Sequence, residues 1–139
     1  MSDSVSPTES DSLPLSIIIP VFNEAEEIYP CLRRLQELRK QGVEVIVVDG
    51  GSDDDTIAVA RPLADKVISS EKGRARQMNA GAALAESDWL LFLHADTRLP
   101  VNLPDIMVVW GFTRSVWGFF AIKVRAAPPL LGVVQWFMN

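Results

Sequence analysis

Asp96 follows an apolar run, Trp89-Leu90-Leu91-Phe92-Leu93, from which it is separated only by His94 and Ala95. A carboxylate at the end of a buried strand can hold Mg²⁺ or Mn²⁺, ions that prefer oxygen ligands and commonly take one or two carboxylates together with a ligand's phosphates. A cation there would offset the charge that develops on a departing diphosphate. His94 lies two residues earlier and shares a face with Asp96 if the strand geometry persists. It could hydrogen-bond a ribose or support the metal, although a lone histidine at a strand end is more often structural.

Two further strand ends carry groups of the same kind. The first apolar run ends in Pro20, Asn23 and Glu24, and the second in Asp49, Gly50, Gly51 and Ser52. Asp49 could accept hydrogen bonds from a base or a ribose; its plain reading is a turn aspartate. Gly50 and Gly51 would let a ligand approach the backbone closely. Asp53, Asp54 and Asp55 read as solvated residues at a helix start. Lys72, Gly73, Arg74 and Arg76 open a third helix, where free N–H groups favour anions. Guanidinium groups at Arg74 and Arg76 would complement a diphosphate, whereas Lys72 alone reads as part of a solvated basic patch. Gln77 and Asn79 could orient this loop.

These residues are useful only if the fold brings them together. Residues 15–20, built around the β-branched run Ile17-Ile18-Ile19, read as a strand covered on both faces, and Pro20 should end it. Ile28, Cys31, Leu32, Leu35 and Leu38 recur at helical spacing, in a helix expected to start near Pro30 and to stop at Gly42. Residues 43–48 form a second buried strand. Ser52 and Asp55 resemble a capping box for a short helix through Ala60, closed by Pro62. Val67 and Ile68 mark a third strand, residues 74–86 a third helix with Met78, Ala82 and Ala85 inward, and residues 89–93 a fourth strand. A helix over 104–109, a strand over 116–124 and, after Pro128-Pro129, a final apolar helix complete the reading.

Strands alternating with helices imply a mainly parallel sheet with right-handed crossovers in a three-layer α/β/α domain. In such sheets ligands bind beyond the carboxyl ends of the strands, where all three polar clusters would converge. The first loop is not G-x-G-x-x-G, so a dinucleotide cofactor is disfavoured; no P-loop or paired-cysteine metal motif is present.

A length of 139 residues with 48% hydrophobic and 22% charged residues suits one globular domain. Residues 1–14, rich in Ser, Asp and Pro, read as a disordered tail ahead of a domain over 15–139. A net charge of −5 and the lack of a basic, aromatic stripe argue against a nucleic-acid partner. Cys31 is the single cysteine, which suits a reducing, cytoplasmic setting. No apolar run reaches the ~18–20 residues that span a bilayer; residues 130–138 read as a core or interfacial helix, leaving peripheral membrane contact open.

As a set, these segments resemble family 2 glycosyltransferases with the GT-A, Rossmann-like fold. Residues 16–24 resemble the family's opening strand and nucleotide loop. Residues 47–56 resemble its aspartate loop D-D-G-S-x-D-x-T, with Gly50 in place of the second Asp. Residues 73–81 resemble the segment leading into the metal-binding strand, and His94-Ala95-Asp96 stands where the family has D-x-D, with histidine first. Together with Trp117-Gly118-Phe119-Phe120, the chain is similar to a bacterial subgroup assigned to arsenosugar biosynthesis.

The resemblance implies a nucleotide-sugar donor, uridine-linked, with Asp49 at the nucleoside and Asp96 at a divalent metal, Mg or Mn, and an acceptor it does not name. It places the carboxylate that deprotonates the acceptor in a segment beyond Asn139, so no catalytic base is assigned. It also places a central strand there, whose lack would leave the fourth and fifth strands with a bare edge open to self-association. The leading expectation is thus a donor-binding glycosyltransferase domain that is a fragment or a truncated or degenerate copy. The alternative is a catalytically incomplete nucleotide-binding or interaction module. A nucleotidyltransferase would want a Gly-rich basic loop after the first strand, which residues 20–24 do not offer.

Overall fold

The computed structural model describes residues 14–99 and the backbone of two later strands, 117–123 and 131–138. In chain order the elements are β1 (Leu15–Val21), α1 (Ala25–Lys40), β2 (Glu44–Asp49), α2 (Thr56–Ala60) running into a 3₁₀ turn (Arg61–Leu63), β3 (Lys66–Ser69), α3 (Arg74–Leu84), β4 (Trp89–Phe92), β5 (Trp117–Lys123) and β6 (Leu131–Met138). They form one sheet of order β3-β2-β1-β4-β6-β5. β3, β2, β1 and β4 are mutually parallel, and β6 runs antiparallel to both β4 and β5. This is the mainly parallel α/β sheet expected from the sequence.

β1 sits at the centre and all of its residues are buried. Its side chains alternate between two cores. Ile17, Ile19 and Val21 pack with Val45, Val47, Leu91 and the α1 residues Ile28, Cys31, Leu32 and Leu35. Ile18 packs with Ile46, Val48 and Leu90 on the side covered by α3. Each isoleucine removed from water in this way contributes about 1.5–3 kcal/mol. The two cores define the layers: α1 and α2 on one face, α3 on the other. α3 lies close because Gly81 faces β1 and β2 with no side chain. A Cβ there would stand 2.5 Å from Ile18 Cγ2 and 2.9 Å from Val48 Cγ2.

Several expectations are corrected. β1 continues one residue past Pro20, and Val21 pairs with Asp49. Alternation puts the missing Pro20 N–H on the β4 side, where the regular pairing has already ended at Ile18↔Phe92 and the last bond is Leu93 N–H donating to the Ile18 carbonyl at 3.0 Å. α1 begins at Ala25, five residues before Pro30. Its N-terminal donors are capped from the following loop: Glu24 N–H donates to Thr56 Oγ1 at 3.0 Å and Ala25 N–H to Asp54 Oδ2 at 3.3 Å. Pro30, exposed, removes only one bond on the solvent side. Ser52 does not cap α2; its hydroxyl serves Asp49. On α3, Ala82 and the following Ala85 pack inward as expected, but the fully buried residues are Gln77 and Gly81, with Met78 only partly buried.

The apolar segment near the C-terminus is a strand and not a helix. A short apolar run does not distinguish the two by periodicity, and here β6 pairs with β4 from Trp89↔Met138 to Phe92↔Gln135. It therefore fills the edge of β4 that was expected to be bare, and it is no interfacial helix. Among the described residues the outer strands are β3 and β5, and no helix is long and apolar enough to cross a membrane. The expected helix over 104–109, the proline break at 128–129 and the tail before Pro14 lie outside the described residues.

Candidate functional site

Parallel strands aim their carboxyl ends at one edge, and the register puts the three polar clusters there. β1 and β2 end together at Val21 and Asp49, and Gly50 N–H continues the ladder onto the Val21 carbonyl at 2.9 Å. β4 runs beside β1 and leads directly into His94 and Asp96. Asp49 and Asp96 are therefore on the same edge, flanking β1.

The loops after β1 and β2 brace each other. Asn23 adopts a left-handed conformation, φ 50°, which asparagine tolerates better than most residues. Its N–H donates to Ser52 Oγ at 2.7 Å and its Oδ1 accepts Asp53 N–H at 2.7 Å. Asp49 is buried. Its Oδ2 accepts the N–H groups of Gly51 at 2.9 Å and Ser52 at 2.8 Å, and its Oδ1 accepts the Ser52 hydroxyl. Gly51, at φ 101°, makes the turn that an L side chain would strain.

Above this brace lies a cavity of about 300 Å³ lined by Pro20, Val21, Phe22, Glu24, Lys72, Gly73, Arg74, Gln77, His94, Ala95 and Asp96. Five residues singled out from the sequence thus meet: Pro20, Glu24, Arg74, His94 and Asp96. Asn23, Asp49 and Gly51 form the loops behind the cavity and do not line it. Arg76 points elsewhere, in an exposed ion pair with Glu71. A second, more open depression lined by Glu26, Glu27, Pro30, Arg34 and Arg98 shares Ala95 and Asp96 with the first, so Asp96 stands between the two.

Three further cavity residues were not assigned to the site from the sequence: Phe22 was not singled out, Lys72 was read as part of a solvated patch, and Gln77 was expected only to orient the loop. Phe22 carries the Lys72 ammonium 3.9 Å from its ring centroid, a cation–π contact. Lys72 is thereby a lining residue and not merely part of a solvated patch. Gln77 is buried, its Nε2 donating to the Val21 and Val48 carbonyls at 2.9 Å each, while its Oε1 accepts Gly73 N–H at 3.2 Å. The signal for Phe22 and Lys72 was their place beside the polar clusters. For Gln77 it was a polar residue one turn before Gly81 on the sheet-facing side of α3.

The cavity sets two carboxylates, Glu24 and Asp96, beside two cations, Lys72 and Arg74. Burial raises the Glu24 carboxyl above its ordinary range; the Phe22 N–H works against this, while nearby Glu27 and Asp96 add to it and Arg74 opposes. Burial, then Arg74, holds His94 below the ordinary imidazole value against the pull of Asp96, which leaves a neutral ring at pH 7. On α1, burial pushes the Cys31 thiol up to about 11, which keeps it protonated and unreactive.

Among the described residues, no three His, Cys, Asp or Glu side chains converge as a self-sufficient metal cage. Asp96 is exposed, and among the described residues its carboxylate meets only the Thr97 hydroxyl at 3.3 Å. One accessible carboxylate beside a neutral imidazole and a second acid fits Mg²⁺ or Mn²⁺, which keep water and phosphate ligands.

An open α/β sheet with a mixed acidic and basic cavity at its carboxyl edge is a Rossmann-like architecture, in which ligands bind at that edge, and the comparisons narrow it. The model of glycosyl transferase family 2 matches residues 16–108, and the chain belongs to that family. A PGL/p-HBAD biosynthesis glycosyltransferase of Mycobacterium bovis is 37% identical over 91 residues, covering 60% of this chain and 36% of the relative. The bactoprenol glucosyl transferase of Shigella phage SfV is 30% identical over 107 residues, covering 69% of this chain and 35% of the relative. The chain thus spans just over a third of the length of these relatives.

Two solved structures carry the same fold. The mannosyltransferase PcManGT from Pyrobaculum calidifontis superimposes with a TM-score of 0.71 at 23% identity, over 97% of this chain and 47% of that one. Glucosyl-3-phosphoglycerate synthase from Mycobacterium tuberculosis, in complex with Mn²⁺, uridine diphosphate and glucosyl-3-phosphoglycerate, matches at 0.57 and 26% identity, over 69% and 37%. The GT-A fold expected from the resemblance is confirmed.

Proposed function

We propose that this chain binds a nucleotide-sugar donor, uridine-linked, together with a divalent cation, as the donor half of a glycosyl transfer to an acceptor. The observation that carries the reading is the convergence of Glu24, Lys72, Arg74, His94 and Asp96 in one cavity at the strand ends. Asp96 would hold the ion, which when bound would supply charge stabilisation to the departing diphosphate. Lys72 and Arg74 would meet the diphosphate oxygens. The flat face of Phe22 offers a stacking surface for a base once Lys72 turns to the phosphates. Pro20 and Glu24 shape the near wall, and the neutral imidazole of His94 can donate one hydrogen bond to a ribose or sugar hydroxyl. Asn23, Asp49 and Gly51 would act through the loop they build.

The mycobacterial synthase described with Mn²⁺ and uridine diphosphate supports both the cation and the nucleotide class. Cytoplasmic residence suits Cys31, buried and present as a free thiol.

The deciding measurement is calorimetric titration of the chain with uridine diphosphate, with and without Mn²⁺. Binding that strengthens with the ion is expected. Negligible heat under both conditions would overturn the reading.

A further inference from the structure

The buried amide of Gln77 ties together the end of β1 and the start of α3, which line the cavity, and the end of β2 behind them. Its two N–H bonds go to carbonyls on adjacent strands, Val21 and Val48, and its oxygen takes the N–H of Gly73, the residue that opens α3. The side chain is 4% exposed. All three of its hydrogen bonds among the described residues go to backbone, so the amide measures the distance from sheet to helix. Lys72 and Arg74 flank Gly73 in sequence, and both line the cavity.

Gly50 faces the same amide from the other side. A Cβ at position 50 would lie 2.9 Å from Gln77 Oε1, 3.0 Å from Cδ and 3.1 Å from Nε2. The amide therefore occupies the space that any side chain at position 50 would claim. This accounts for glycine at the place where the resembled aspartate loop carries its second acid.

We propose that Gln77 is a positioning residue for the diphosphate, pinning the start of α3 so that Lys72 and Arg74 face the cavity, and that Gly50 and Gln77 form a coupled pair in which the amide excludes a side chain at 50. The inference rests on the donor-binding reading for its first half and on packing alone for its second. A purely structural glutamine would affect stability and would weaken nucleoside and nucleotide binding alike. A positioning glutamine weakens the diphosphate contact selectively.

The test uses the full 139-residue chain with Gln77→Ala, Gly50→Ala and the double variant; Gln77→Met keeps the volume should the alanine variant not fold. Thermal melts read the pair as a double-mutant cycle. Gly50→Ala is expected to lower the melting temperature by several degrees in the parent and by much less in the Gln77→Ala background. Additive losses would overturn the pairing.

Titration with uridine diphosphate and with uridine reads the positioning. The folded Gln77 variant is expected to lose about tenfold or more in uridine diphosphate affinity, with uridine affinity changed far less. Unchanged uridine diphosphate binding, or equal losses for both ligands, would overturn it. A parent chain that binds no uridine diphosphate removes the donor reading and the positioning role with it, while the thermal cycle still decides the Gly50–Gln77 pairing.

Discussion

Asp49 and Ser52 are joined three residues apart by two hydrogen bonds, one to the serine hydroxyl and one to its backbone N–H. The serine oxygen in turn accepts the Asn23 N–H from the neighbouring loop. The aspartate thus holds both loops behind the cavity without lining it. Asp49→Ala would leave the Gly51 and Ser52 N–H groups and the serine hydroxyl without their acceptor, at about 1–3 kcal/mol. The variant should therefore melt earlier and bind uridine more weakly than the parent. A variant with parental stability and reduced uridine binding would instead make Asp49 a direct ligand contact.

How much of this was legible beforehand depends on whether the information was local. The strands β1, β2 and β4 were readable because a strand covered on both faces must be apolar throughout, and Ile17-Ile18-Ile19 and Val45-Ile46-Val47-Val48 are so. The shared edge followed from parallel connectivity. The start of α1 was not readable, since its caps, Asp54 and Thr56, come from the β2–α2 loop and the first residue of α2, 29 and 32 residues from the groups they cap. Nor was β6, whose apolar run gains a strand conformation only by pairing with β4 and β5. Among the site residues, the polar and turn-forming clusters at element ends were visible, and Pro20, Glu24, Arg74, His94 and Asp96 from them meet in the cavity. Which arginine turned inward was not, because the exposed Glu71 that diverts Arg76 gives no sign of its partner in sequence.

Glu44 provides a pH dependence remote from the cavity. Burial alone would raise its carboxyl, but hydrogen bonds from Lys66, Ser16 and the Glu86 N–H together outweigh burial and hold it below the ordinary carboxylate value. Its Oε2 lies 2.8 Å from Lys66 Nζ and its Oε1 accepts the buried Ser16 hydroxyl at 2.6 Å. A carboxyl held low in the fold adds stability that is present above the unfolded value, near ~4.3, and is lost as pH falls through the folded value. Lys66 is held above its ordinary value, chiefly by the Glu44 hydrogen bond against its own desolvation, so its share survives neutral pH and fades only as pH rises through the folded ammonium value. Glu44→Gln should cost about 1 kcal/mol at pH 7, measured by urea denaturation, and the gap to the parent should narrow in acid. A gap independent of pH would refute the assignment.

Arg74 and Arg76 give a matched comparison on one helix turn. Arg74 lines the cavity, while Arg76 faces solvent beside Glu71. Arg74→Ala should reduce uridine diphosphate affinity about tenfold, the size of one charge-assisted hydrogen bond, and leave uridine binding nearly unchanged. Arg76→Ala should alter neither ligand appreciably. Equal losses for uridine and uridine diphosphate in Arg74→Ala would argue against a phosphate contact, and a larger effect from Arg76 would mean that its ion pair with Glu71 opens on binding.

Asp96 is the sharpest case, because the fold asks little of it. The residue is exposed and among the described residues its carboxylate meets only the Thr97 hydroxyl, so Asp96→Ala should stay within about 0.5 kcal/mol of the parent in stability. Its proximity also adds to the raised Glu24 carboxyl, a repulsion that a divalent cation between the two acids would relieve. Removing Asp96 should therefore abolish the gain in uridine diphosphate affinity that Mn²⁺ confers and leave the metal-free affinity the same or slightly higher. Calorimetry of the variant with and without Mn²⁺, beside a thermal melt showing an intact fold, separates the two contributions. A folded variant that keeps the full metal-dependent gain would place the cation on other residues.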